Sequence, residues 1–301
     1  MPNRSRSHAS RWSDLLVPVV LLSAYTASAD VAPAGTEQSA HEHKSSSASV
    51  YRGFAALCAV AKNENRYVQE WVDYHKCLGF SRIYLYDHGS KERMSTQLKD
   101  HIASGFVSYN YFTGHHKKYS RTVRPTSLEK FLLTAQGYAY KKCVKHHSKQ
   151  HSFLGFIDID EFLVLTDPGI TSVEQLLRPY SGFGGLAVHW QLVGSSNHTA
   201  RPAGLVTTSY THCVKPEAME NRQFKVFANT AARPVMQNPH RPRLFAPQNV
   251  PFPYLVNEHR KRIRSGSENQ PTHVKAAVMH YVIKSREENG CNDTQLAAAI
   301  Y

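Results

Sequence analysis

Two aspartates one residue apart, Asp158 and Asp160, sit in the otherwise apolar stretch Phe156-Ile-Asp-Ile-Asp-Glu-Phe-Leu163. Buried apolar segments do not hold carboxylates without compensation. Two carboxylates side by side raise each other's pKa unless a cation intervenes. Oxygen donors of this kind suit Mn2+ or Mg2+, and a divalent ion carrying a diphosphate is one way to offset both charges. A strand ending in solvated, turn-forming aspartates is the plainer alternative. The segment alone leaves the two open.

More polar groups fall at the ends of apolar runs. Asn63 and Glu64 follow Phe54-Ala-Ala-Leu-Cys-Ala-Val-Ala61, and Asp87 follows Ile83-Tyr-Leu-Tyr86. In open α/β sheets ligands bind at the carboxyl ends of strands, so these residues and the aspartate pair would share one rim. Each has a structural alternative. Asn63 can cap the next helix, Asp87 can form a turn with Gly89, and Glu64 can simply be solvated. There is no Gly-x-Gly-x-x-Gly after the first strand and no Gly-x-x-x-x-Gly-Lys-Ser/Thr, which disfavours dinucleotide and P-loop folds.

The elements that must position these groups alternate. Phe54 to Ala61 reads as a strand buried on both faces. Tyr67, Val68, Trp71, Val72, Tyr74, His75 and Leu78 recur at helical spacing, and Gly79 closes that helix. A strand over Ile83 to Tyr86, a short helix and a strand near Phe106 to Tyr109 follow. Thr126-Ser-Leu-Glu129 has the form of a capping box and opens one long helix toward Val144. Thr171-Ser-Val-Glu174 opens a short helix ending before Pro179. Beyond Gly182 the strands shorten, with Leu186 to Trp190 and Phe224 to Phe227 the clearest. The expected fold is α/β, a mostly parallel central sheet flanked by helices, in one domain with an α+β C-terminal half.

The chain has 301 residues, a formal charge of +13 and 18 histidines, so its partners are expected to be anionic. No nucleic-acid motif accompanies the lysines and arginines, and nucleic acid is set aside as a partner. Arg4, Arg6 and Arg11 precede the apolar run Leu15 to Tyr25, and Ala27-Ser-Ala29 follows. The run is short of the ~20 residues that span a bilayer. Residues 1–29 read as a signal peptide or short signal anchor, 30–50 as a flexible stem, 51–290 as the folded domain and 291–301 as a tail. That places the domain in the secretory pathway, in the Golgi lumen or on its membrane, or outside the cell if the signal is cleaved. Membrane association would run through an uncleaved N-terminus. Five cysteines leave at least one unpaired within the chain. Cys58 reads as a small buried hydrophobe; an oxidising lumen allows one or two disulfides, and the spacing assigns no pair. Asn197-His-Thr199 and Asn292-Asp-Thr294 have the form of glycosylation acceptors.

An ordered set of motifs resembles glycosyltransferase family 92. It comprises Ala61-Lys-Asn-Glu64, Glu70-Trp71, His75, Gly79-Phe80, and Ile83 through Ser90. Phe156 through Leu163, Trp190, Gly194-Ser-Ser196, His198, Lys225, His240 and His280-Tyr-Val-Ile-Lys-Ser285 complete it. The resemblance covers about residues 54–288, nearly the whole folded part.

The resemblance implies a GT-A (Rossmann-like) fold and a metal-dependent, inverting transfer. The sugar would be galactose, moved from UDP-galactose onto a glycan or polysaccharide acceptor. Asp158, Asp160 and His280 would hold Mn2+ or Mg2+. Asn63, Glu64, Asp87, Asp158 and Lys284 would bind the nucleotide sugar, and Trp190, Ser195, Ser196 and His198 would line the sugar and acceptor pocket. Asn197 stands where the family usually has glycine, and it is expected to resist a positive φ. The base for the acceptor proton is open among Glu161, Glu258, Glu287 and His198. A catalytically inactive glycan-binding module of the same fold is the rival reading.

Overall fold

The computed structural model describes residues 53–114, 126–264 and 270–289. The signal, stem and tail segments, Cys291 and the Asn292 acceptor lie outside them. In the first half β1 (Gly53–Ala61), α1 (Val68–Cys77), β2 (Arg82–His88), α2 (Lys99–Ala103) and β3 (Val107–Phe112) alternate. They lead through α3 (Ser127–Leu132) and α4 (Ala135–His147) to β4 (His151–Phe156). Then come β5 (Glu161–Leu165), α5 (Val173–Leu177), β6 (Phe183–Leu192), α6 (Val206–Ser209) and β7 (Phe224–Asn229). The chain continues with β8 (Val235–Asn238), β9 (Arg241–Arg243), β10 (Phe252–Val256), β11 (Ala276–His280) and α7 (Arg286–Asn289).

Nine strands form one sheet in the order β3-β2-β1-β4-β7-β6-β11-β5, with β10 beside β6. The pairs β1–β2, β1–β4, β2–β3, β6–β10 and β6–β11 are parallel, whereas β7 runs against β4 and β6, and β5 against β11. This is the expected α/β architecture, and the strands of the second half continue the same sheet. β8 and β9 form a separate hairpin.

The continuous apolar run of β1 is explained by its two faces. Ala55, Leu57, Ala59 and Ala61 pack into a core with Trp71 and Val72 of α1, while Ala56 and Cys58 pack into a second core with Phe131, Tyr140 and Cys143. Burial on both sides removes the polar alternation of a half-exposed strand. Cys58 is bonded to Cys143, which ties β1 to α4 across 85 residues, so it is more than a small hydrophobe. Among the described residues Cys77 and Cys213 have no disulfide partner.

The single helix expected from Thr126 toward Val144 is two. The capping box forms, with Thr126 and Glu129 exchanging bonds. Thr134 then recaps the chain by accepting from the Gly137 amide and donating to the Phe131 carbonyl. A side chain at Gly137 would lie 2.0 Å from that carbonyl, so the close approach of the two helices requires glycine. The next cap forms one residue later than expected, at Ser172, which accepts from Gln175. The aspartate segment also differs from a continuous strand. β4 stops at Phe156 and β5 starts at Glu161, so Asp158 and Asp160 occupy the turn between them.

β5 is an edge strand, and unpaired edge groups need partners. Three side chains of α1 supply them. Trp71 Nε1 donates to the Glu161 carbonyl at 2.7 Å, Tyr74 Oη donates to the Leu163 carbonyl at 3.0 Å, and the Leu163 amide donates to His75 Nε2 at 3.3 Å. His75 must stay neutral to accept that bond while its Nδ1 donates to the Trp71 carbonyl. Burial pushes its pKa down to about 3. The unfolded chain therefore binds a proton between about pH 6.5 and 3 that the folded chain excludes. This contribution to stability is complete above about pH 6.5 and is lost as the pH falls toward 3. At pH 5 His75 should account for a loss of about 2 kcal/mol relative to pH 7. Urea unfolding at both pH values checks this: His75→Gln should be less stable at pH 7 and show a shallower acid slope. An unchanged slope would remove His75 as its source.

Candidate active site

The turn Ile157-Asp158-Ile159-Asp160 is pinned from beneath by its isoleucines, which are 0% and 2% exposed. Glu161 closes it: its amide donates to the Asp158 carbonyl at 3.1 Å and its Oε2 accepts from the Asp158 amide at 2.8 Å. The same Oε2 lies 3.0 Å from Lys225 Nζ, which also donates to Asp158 Oδ2 at 2.6 Å. Gln136 of α4 donates to Asp158 Oδ1 at 3.0 Å. Lys225 projects from β7 and is 1% exposed. Burial works against its charge, but Glu161 and Asp158 outweigh it and push its pKa up. Burial raises the Glu161 pKa well above the usual carboxylate range, with Lys225 opposing. Glu161 Oε1 is also buried, with no hydrogen-bond partner among the described residues.

Asp160 faces the other way. Its Oδ2 lies 3.4 Å from His280 Nε2, where β11 ends. Burial raises the Asp160 pKa, but the His280 contact, with Lys284 and Lys225 behind it, overcomes that and holds the carboxyl below its ordinary range. The Trp190 ring lies 4.3 Å from the His280 ring at a tilt, and the His240 ring meets it edge-on at 5.3 Å. His240 is itself anchored by Nδ1 to the Phe224 carbonyl at 2.9 Å. Trp190 thus backs the histidine that meets Asp160; the residue is half-buried, and its buried Nε1 has no partner among the described residues.

Of the expected metal set Asp158, Asp160 and His280, the structure brings together Asp160 and His280. Asp158 is held by Lys225 and Gln136. Among the described residues no group of three His, Cys, Asp or Glu side chains is placed to hold a metal. A two-ligand arrangement fits an ion that draws its remaining ligands from water and substrate phosphates, as Mg2+ commonly does.

The nucleotide rim is partly scaffold. Asn63 has φ +60, accepts from the Lys91 amide at 2.9 Å and donates its own amide to Ser90 Oγ at 2.8 Å, so it staples the loops after β1 and β2 and does not cap α1. Asp87 is fully buried and accepts from the amides of Ser90 and Met94 and from Tyr109 Oη. Its carboxylate orders the loop and is not open to a ligand. Glu64 is raised by burial, opposed by Lys284, with the charges of Asp160 and Asp158 adding to the rise. Glu64 and Lys284 are thus electrostatically coupled to the aspartate turn. Lys284, at φ +54, lies with Nζ 4.6 Å over the Tyr67 ring.

The remaining candidates are tied into the framework. Ser196 Oγ accepts from the amides of Thr211 and His212, and Ser195 is buried. His198 Nε2 bonds the Ser209 carbonyl at 2.9 Å. Ser196 and Asn197 take φ values of +50 and +64, which corrects the expectation at Asn197: asparagine tolerates the left-handed region better than most residues. Glu258 accepts from the amides of Val274 and Lys275, and exposed Glu287 accepts from the Arg201 amide. Glu70, part of the motif beside Trp71, grips the amides of Val206 and Thr207 at the start of α6.

Sequence reading passed over Gln136 and did not assign Lys225 a role. The signal for Lys225 was present: a lysine inside Phe224-Lys-Val-Phe227, an apolar strand, requires a buried carboxylate partner. Lys225→Met should leave the buried Glu161 carboxylate and the half-buried Asp158 without their cation and cost about 3–5 kcal/mol. Adding Glu161→Gln should restore part of that. Urea unfolding of both variants tests the pair, and a single variant as stable as wild type would remove the cluster as a structural element.

Residues 57–298 match the family model Glycosyltransferase family 92. Among curated relatives, Glycosyltransferase family 92 protein Os08g0121900 of Oryza sativa subsp. japonica is 28% identical over 52% of this chain and 24% of its own length. Glycosyltransferase family 92 protein RCOM_0530710 of Ricinus communis is 27% identical over 56% and 30%. The chain thus spans roughly a quarter to a third of the length of the relatives it matches. Among solved structures, S. aureus TarS 1-349 is 13% identical at a TM-score of 0.34, covering 60% of this chain and 48% of that one. Glucosyl-3-phosphoglycerate synthase from Mycobacterium tuberculosis, in complex with Mn2+, UDP and glucosyl-3-phosphoglycerate, is 12% identical at a TM-score of 0.28, covering 60% and 59%.

Proposed function

We propose that this chain, which belongs to glycosyltransferase family 92, transfers a hexose from a nucleotide-sugar donor to a glycan acceptor at the turn carrying Asp158 and Asp160. The donor in this proposal is a UDP-sugar, with galactose the sugar the resemblance implies. The transfer is a metal-dependent single displacement that inverts the anomeric centre. The observation that carries it is the meeting of Asp160 Oδ2 and His280 Nε2, 3.4 Å apart, beside a carboxylate already neutralised by Lys225.

Asp160 and His280 are the side chains that would hold Mn2+ or Mg2+. The ion, when bound, offsets charge developing on the diphosphate leaving group. Lys225 holds Asp158 in place through an ion pair, so the turn does not depend on the ion for its shape. Lys284 and Glu64 flank the turn on the donor side, and Trp190 fixes the orientation of His280. Of the four candidate bases, Glu258, Glu287 and His198 are occupied with framework bonds. Glu161 is fully buried, so an acceptor hydroxyl cannot reach it without a rearrangement. The Cys58–Cys143 bond supports a secretory, Golgi-type compartment, where disulfides persist. Among the described residues no helix is long and apolar enough to cross a membrane, so membrane association through the N-terminus stays part of the proposal.

A panel of UDP- and GDP-sugars with Mn2+ or Mg2+, read by nucleotide release and thermal shift, tests the reading. One UDP-sugar should be turned over and should raise the melting temperature only with metal present. Asp160→Asn should lower turnover by roughly two orders of magnitude, the scale of losing one group that stabilises transition-state charge. Full activity in that variant, or in excess EDTA, would overturn the metal role. Donor binding without turnover on any acceptor would favour the inactive glycan-binding module.

A further inference from the structure

On the hairpin side of the molecule a cleft of about 320 Å³ opens between β8–β9, β10 and residues 262–264. Its size is within the range of small-ligand sites. Arg241, Arg243, Arg262 and Arg264 line it with Gln237 and Tyr254, and no acidic residue is among its lining. Among the described residues Arg241, Arg243 and Arg262 form no ion pair. Like charges gathered in one concavity repel, and an anion placed among them relieves that repulsion.

The arginines are also held in place. Arg262 lies 4.7 Å over the Tyr254 ring and Arg243 lies 5.2 Å over Phe245. A guanidinium stacked on a ring keeps its in-plane N–H donors for a planar anion. Beside them Phe252 is 46% exposed and packs 5.2 Å from Phe183 and 6.0 Å from Tyr254. Aromatic faces next to forked donors suit a ring that carries an acidic group. Concavity separates this cleft from a lipid-binding surface, where charged and aromatic side chains lie over a plane.

A chain of contacts leads from the rim of the cleft to the candidate active site. His240 immediately precedes Arg241 and touches Trp190, whose ring packs at a tilt against His280 beside Asp160. We propose that this arginine cleft binds an anionic segment of the glycan acceptor, a sugar bearing a carboxylate or a sulfate ester, and thereby steers the acceptor chain toward Trp190. The assignment to the acceptor rests on the reading of the protein as a glycan-directed transferase, whereas the anion site itself rests on the cleft alone.

The test is isothermal titration of the full chain with four probes: an oligogalacturonate, a heparin-derived oligosaccharide, a neutral galacto-oligosaccharide and phosphatidylcholine–phosphatidylserine vesicles. The variant is Arg241→Gln/Arg243→Gln/Arg262→Gln, and UDP binding by the same preparations is the control. One or both anionic probes should bind, more weakly at higher salt, and the neutral probe should not. Whichever binds identifies carboxylate or sulfate as the recognised group. Affinity should fall by about tenfold for each arginine removed, the scale of one charge-assisted hydrogen bond, while UDP binding stays unchanged. Equal binding by the variant, equal binding of the neutral probe, or binding only to phosphatidylcholine–phosphatidylserine vesicles would overturn the proposal. If no UDP-sugar is turned over but the variant still loses the anionic probe, the donor reading fails and the anion site stands.

Discussion

A lysine ammonium in the middle of a sheet is costly unless carboxylates surround it, and much of the site follows from that requirement. Lys225 reaches from β7 to Asp158 and Glu161. Those two residues begin and end the turn between β4 and β5, so one cation fixes both ends. Glu161 also accepts the Asp158 amide. The turn is thereby closed by a charge, two side chains and a backbone bond, and Asp160, left out of the cluster, points toward His280. Asp158 and Asp160 are alike in sequence but differ in role because only one of them has an internal cation.

The same turn is held from its far side. β5 begins at Glu161, whose carboxylate faces Lys225 while its carbonyl receives the indole N–H of Trp71. Tyr74 and His75 seal the next open pair of backbone groups at Leu163. An unsatisfied edge at this place would let β5 move and carry Glu161 with it. α1 thus supports the site from behind, through the backbone of β5. That explains why Glu70, Trp71 and His75 accompany the aspartates in the sequence: one grips α6 and the others the edge strand.

What could be read from the sequence follows the range of the interactions. The apolar run of β1, the spacing of α1 and the capping box at Thr126 are local signals, and each marks an element of the structure. The break at Thr134 escaped because it depends on how closely Gly137 approaches the Phe131 carbonyl, a distance that no periodicity encodes. The aspartates read as part of a strand because Ile157, Ile159 and Phe162 are buried, but burial here pins a turn. At the site, Asp160 and His280 were legible as a pair through the resemblance. The partners of Asp158 and the saturation of Asp87 were not, because donors such as Gln136, Tyr109 and Met94 acquire meaning only in three dimensions. Asn197 was misjudged by treating a preference for glycine as a requirement.

The division of labour between the two aspartates bears on how an ion would be held under the proposed chemistry. With Asp158 neutralised by Lys225, the protein presents one carboxylate and one imidazole at Asp160 and His280. Two such ligands leave most positions of an octahedral ion to water or to phosphate oxygens. An ion bound in this way gains most of its hold only when a diphosphate is present, so ion and donor would enter as a linked pair. The buried Lys225, whose charge is felt at Asp160, would strengthen that linkage. Its charge opposes a lone cation and attracts the diphosphate, so the cation becomes favourable once the anion arrives with it.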